Sequence, residues 1–184
     1  MNKNLVFFFL IFTLLACESD RLPKPKPFLK LEYKKPTYIQ FNSACSYQFE
    51  ISNQARIEVN ENCWAKIKYP HLKATIHLTY REVNENLNGV LKEVEKLTFE
   101  HTIKADAINP VDYEDVQKRI FGTIFNVEGN VATNVQFRIT DSTKHVLAGA
   151  LYFYTKPNYD SILPAVKYIE KDIIHLIETF EWKK

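Results

Sequence analysis

An unbroken apolar run, Leu5 to Ala16 (LVFFFLIFTLLA), follows a single early cation, Lys3, and stops directly at Cys17, with Glu18 and Asp20 beyond it. That run decides how much of the chain can fold and where. A helix that spans a bilayer needs ~20 apolar residues. This run falls short, so residues 1–16 read as a signal peptide that targets the chain and is then removed. What remains folds outside the cytoplasm. The chain has 184 residues, 46% hydrophobic and 14% aromatic, enough apolar surface to offset the entropy cost of ordering one domain, which excludes wholesale disorder. The formal net charge is +2. Lysines are interleaved with glutamates and aspartates rather than gathered in a stripe, so no nucleic-acid partner is expected.

Leu14-Leu15-Ala16-Cys17 has the form of a lipobox, in which a small residue precedes a cysteine that receives a diacylglyceryl group before cleavage. The competing reading is an ordinary signal peptide followed by a chance cysteine. It expects small residues at both positions of an A-x-A pattern, and Leu14 fits it badly. Acyl chains on Cys17 stabilise attachment by ~0.8 kcal/mol per buried CH₂, so the membrane is the first expected partner, reached through a lipid anchor with the chain facing the periplasm. Glu18-Ser19-Asp20 is either a sorting signal or solvated chain, which leaves inner and outer membrane both open. Leu22 to Pro27 (LPKPKP) alternates proline and lysine, blocking helix and favouring polyproline II. Residues 17–27 therefore read as a lipidated cysteine plus a semi-rigid tether that spans on the order of 30 Å at ~3.1 Å per residue. A proline-recognition ligand is the alternative.

The rest, residues 28–184, reads as one globular domain. Period-two alternation predicts strands at Phe28 to Tyr33, Ser46 to Ser52, Arg56 to Val59, Trp64 to Tyr69 and Ala74 to Arg81. In the last of these, Ala74, Ile76, Leu78 and Tyr80 share one side. The period then changes: Leu87, Leu91, Val94 and Thr98 recur at helical spacing, predicting a helix from about Glu85 to Lys104 capped by Asn84 or Asn86. Asn109-Pro110 breaks the chain, and Tyr113 to Arg119 reads as a short helix or irregular segment. Phe121 to Val127, Val135 to Thr140 and His145 to Tyr154 form an antiparallel meander, with VLAGALYFY suggesting a central strand covered on both faces. Asp160 or Ser161 caps a final helix with Pro164 in its first turn and a stripe of Ile162, Val166, Ile169, Ile173, Ile177 and Phe180. The order predicts an α+β fold: an antiparallel sheet with helices packed on one face, a PsbP-like sandwich by analogy of element order, closed by a C-terminal helix.

Cys45 and Cys63 lie beyond the leader, in an oxidising compartment. With Cys17 consumed by lipid they are expected to pair, free buried thiols being the alternative. The five histidines (His71, His77, His101, His145, His175) are scattered without ligand spacing, so no metal is expected. No nucleophile elbow, P-loop or dinucleotide fingerprint occurs, and four glycines offer little for a phosphate cradle. No cofactor, small-molecule substrate or catalytic residue is expected. Glu100-His101, near Asp106, is the strongest acid/base candidate. Adjacent helical residues point apart, however, and a helix-end hydrogen bond is the plainer use of that histidine. Lys156, Asn158, Tyr159 and Asp160 form an aromatic-bearing loop suited to a protein interface, or merely to entering the last helix.

LLAC, PKPKPFLKLEY, CWAKIKYPHLKATIHLTY, KLTFEHTIKADAI and the run from Phe125 to Trp182 together resemble the GldD gliding-motility lipoproteins of Bacteroidetes. The resemblance covers most of the mature chain and is weakest from Asn109 to Ile120. It implies a cell-envelope lipoprotein required for gliding, a non-enzymatic assembly or interaction component whose partners are other envelope proteins of the gliding and type IX secretion machinery. It brings no enzymatic activity and no site residues. The rival reading is a periplasmic enzyme or small-ligand-binding lipoprotein using the Glu100/His101 region.

Overall fold

The computed structural model describes residues 33–100, 105–155 and 158–183, apart from the side chains at 97, 98 and 100. The expected signal peptide, the lipidated Cys17, the tether, most of the strand expected from Phe28, His101, the Glu100 side chain and Lys156 lie outside the described residues.

Ten strands and two helices follow in the order β1 (Tyr38–Phe41), β2 (Tyr47–Ser52), β3 (Arg56–Val59), β4 (Ala65–Tyr69), β5 (Ala74–Glu82), α1 (Leu87–Glu100), β6 (Ala107–Asp115), β7 (Ile120–Glu128), β8 (Thr133–Thr140), β9 (His145–Phe153), α2 (Tyr159–Glu178) and β10 (Glu181–Trp182). Seven strands form one antiparallel sheet in the order β3-β4-β5-β9-β8-β7-β6, and β1-β2-β10 form a smaller one. The large sheet is two meanders joined at the β5/β9 seam, where Ala74 pairs with Phe153 and Glu82 with His145. Because β5 ends at the centre and β6 starts at the far edge, α1 must cross the sheet between them.

Alternation along each strand decides the faces. On the inner face Ile67, Ile76, Leu78, Phe137, Ile139, Leu147 and Leu151 are buried. They meet Val166, Ile169, Ile173, Leu176 and Ile177 of α2 and Tyr47, Phe49 and Ile51 of β2 in one core cluster. Phe180 continues it, its ring stacked 6.1 Å from both Tyr47 and Phe49. On the outer face α1 is pinned by Arg81–Glu93 (3.0 Å), Arg138–Glu95 (3.3 Å) and an edge-to-face Phe99–Phe125 contact.

The antiparallel α+β sandwich with a C-terminal helix is the expected class. The helices, however, divide between its faces rather than sharing one: the apolar stripe of α2 needs the fully buried face, and the crossover puts α1 on the other. Of the two candidate caps for α1, Asn86 serves, its side-chain oxygen accepting from Gly89 N at 3.1 Å. Asn109-Pro110 does not break the chain but lies within β6, Pro110 opposite Phe125. β6 is paired on one side only, the place where a sheet tolerates proline. Of Tyr113 to Arg119, expected as a short helix or irregular segment, Tyr113 to Asp115 continue the strand and residues 116–119 form a turn. α2 begins at Tyr159, before the expected Asp160 or Ser161, with Ser161 N and Ile162 N both donating to Asn158 O.

Candidate functional site

Two constellations of polar side chains stand out, one on each side of the large sheet. On the outer face a cleft of about 430 Å³ opens beside α1. Ladder register fixes its walls: His77 of β5 lies opposite Ala150 of β9, and Thr79 opposite Ala148, while Gln136 of β8 flanks Ala150 on its other side. Val94 of α1 and Tyr152 complete it. The His77 ring meets Tyr152 edge-on at 5.4 Å, and its Nε2 is 3.4 Å from the exposed Tyr154 hydroxyl. Burial, aided by the nearby Lys66 ammonium, holds the His77 imidazole below its ordinary value. The cleft thus combines an alanine floor with an imidazole whose protonation is disfavoured, an amide and a hydroxyl.

On the inner side Asp172 of α2, 5% exposed, accepts hydrogen bonds from the hydroxyls of Tyr38 (2.9 Å) and Tyr69 (3.0 Å). Burial raises its pKa above the ordinary carboxylate value, and the bonds from Tyr38, Tyr69 and Ser52 only partly oppose this. Burial likewise pushes Tyr69 well up. One carboxylate therefore ties β1, β2 and β4 to α2. Beside it, Tyr38 stacks on His175 at 3.5 Å, and His175 Nε2 lies 2.7 Å from Glu50 Oε2. Chemically this is a clamp: it holds β1, the first described strand, against the core. Tyr168 extends it by donating to Lys34 O at 2.8 Å.

A turn at the opposite end of β9 is built on Asp141, which accepts from the backbone N–H of Thr143, Lys144 and His145 and from the Thr143 hydroxyl. Burial pushes this carboxyl up, but those four donors outweigh it and bring it down to about 2. His145 stacks between Tyr80 and Trp182.

Comparison with known families decides what kind of chain this is. The family model described as gliding motility lipoprotein GldD matches residues 18–182. The chain belongs to that family. No curated protein matches it. The GldD match takes in residues 18–32 and both sheets, and the membrane-anchored envelope location that a lipoprotein family carries applies here. Among the described residues no helix is long and apolar enough to cross a membrane.

The residues singled out from the GldD-family sequence are placed as follows. Cys45 and Cys63 form a disulfide with Cα atoms 5.6 Å apart, so the chain does not carry them as free thiols. The bridge joins the approach to β2 in the small sheet to the approach to β4 in the large one. Asn158 is exposed at the N-cap position of α2 without a side-chain cap bond, Tyr159 is half-buried with its N–H donating to Asn130 Oδ1 at 2.8 Å, and Asp160 is exposed. Among the described residues no group of three or more His, Cys, Asp or Glu could hold a metal. The outer cleft and the Asp172 clamp escaped the sequence reading. The available signal was the alternation of small and large residues in VLAGALYFY, which puts Ala148 and Ala150 on one face, and a lone aspartate on the apolar stripe of α2.

Proposed function

We propose that this gliding-motility lipoprotein works without catalysis, as a lipid-held assembly or interaction component of the gliding and type IX secretion machinery, facing the periplasm. The observation that carries the reading is the family match from residue 18, adjoining the lipobox cysteine, to residue 182: tether and folded body are one inherited unit. The inner clamp supports it. The segment after the tether is fixed by Tyr38 to Asp172 and by Tyr168 to Lys34 O, so a body held through Cys17 transmits load into its core instead of unravelling. The protein face is proposed at the entry to α2, around Asn158, Tyr159 and Asp160, with Lys156 adjoining in sequence.

The test combines a Cys17→Ser strain with a photo-crosslinker at Asn158 in the lipidated protein. The expected outcome is that Cys17→Ser protein leaves the membrane fraction and colonies cease to spread, while the Asn158 crosslinker captures a membrane-bound gliding component. Normal partition and normal spreading of the Cys17→Ser strain would overturn the anchor. Spreading that survives deletion of the whole chain would overturn the role.

A further inference from the structure

Space under a crossing helix is normally filled to crystal-like density, and sheet positions favour β-branched and aromatic side chains. Under α1 the central strand β9 instead presents Ala148 and Ala150, and the resulting cleft of about 430 Å³ falls within the range of small-molecule sites. Among the described residues its lining carries the basic side chains His77 and Arg81, the phenol of Tyr152 and no carboxylate. Among the described residues Glu93 pairs with Arg81, Glu95 with Arg138 and Glu58 with Lys68. Glu58 also lies opposite Lys66, so four cations (Arg81, Arg138, Lys68, Lys66) face three carboxylates and one positive charge is left over. Lys66 stands directly across the β4/β5 ladder from His77 and is exposed on the same face. Burial of the ring and the Lys66 charge both disfavour protonation of His77, and the Lys66 ammonium beside the ring makes a donor-bearing corner next to the apolar floor.

We infer that this cleft binds a compact organic monoanion, its carboxylate at the Lys66–His77 corner and its flat apolar body over Ala148 and Ala150 beneath Val94. A carboxylate there gains a charge-assisted contact with Lys66 and a hydrogen bond from the His77 ring, and the floor buries the body. This site is independent of the anchoring role, and its failure leaves that role untouched.

Equilibrium dialysis of the full-length lipidated protein in nanodiscs, with empty nanodiscs subtracted, tests it using 2-naphthoate as the probe and 2-naphthamide as its uncharged counterpart. Saturable binding of one naphthoate per chain is expected. Naphthamide should bind about tenfold more weakly or worse, and Lys66→Gln, a change at an exposed position, should lose about tenfold in affinity for naphthoate. Ala150→Leu, which fills the floor, should abolish binding. If that variant does not fold, the Lys66→Gln and naphthamide comparisons decide alone. Non-saturable uptake, equal affinity for the amide, or unchanged affinity in Lys66→Gln would each overturn the site.

Discussion

Two buried aspartates illustrate how one side-chain type serves opposite ends. Asp141 gathers four donors and has its carboxyl brought down from 3.8 to about 2. Its folded-state pKa is depressed, so its contribution is present above the unfolded value and is lost as pH falls from about 4 towards 2, on the order of 2 kcal/mol in all. Denaturant titrations of wild type and Asp141→Asn across that range should show a stability gap that closes with acidification. A gap independent of pH would contradict the assignment. Asp172 is raised instead, mainly by burial, so its contribution is full below 3.8 and declines as pH rises through the elevated value. The stability of wild type relative to Asp172→Asn should therefore fall with rising pH across that window, the reverse of the Asp141 trend.

At the level of elements, Gly149 sets the geometry at the middle of the large sheet. A Cβ built there would lie 2.2 Å from Phe137 Cζ, because the Phe137 ring covers the neighbouring strand where Gly149 leaves room. Gly149→Ala should cost about 1–3 kcal/mol by overpacking, and adding Phe137→Leu should recover part of it in a double-mutant cycle measured by chemical unfolding. Additive losses would show that the two positions do not compete for space. Strands such as β5, with Ala74, Ile76 and Leu78 facing one way, were readable because a half-buried strand must alternate. β6 was not, because Asn109-Pro110 reads as a break unless the strand is known to be an edge. β10 is too short to carry a period. The sides taken by the helices were hidden for another reason: they follow from strand order, which brings β5 beside β9 and sends the chain across to β6. The outer cleft depends on the same order, since His77, Ala150 and Gln136 become neighbours only when β5, β9 and β8 lie side by side.

For the molecule as a whole, the Cys45–Cys63 bridge and the Asp172 clamp tie the small sheet, which holds the first described strand, to the large sheet, and the clamp ties it to α2 as well. The bridge closes a segment with a separation of 18 residues, and its removal by Cys45→Ser with Cys63→Ser should cost about 3 kcal/mol in thermal or chemical unfolding. Unchanged stability would mean that the core alone secures the small sheet. A body braced in this way suits the lipid-held role proposed above. The most direct measurement is the mass of the mature amino-terminal peptide from protein purified out of its own membranes. The account predicts a peptide beginning at Cys17 and carrying fatty acyl chains. An unmodified Cys17, or a chain that retains residues 1–16, would contradict it.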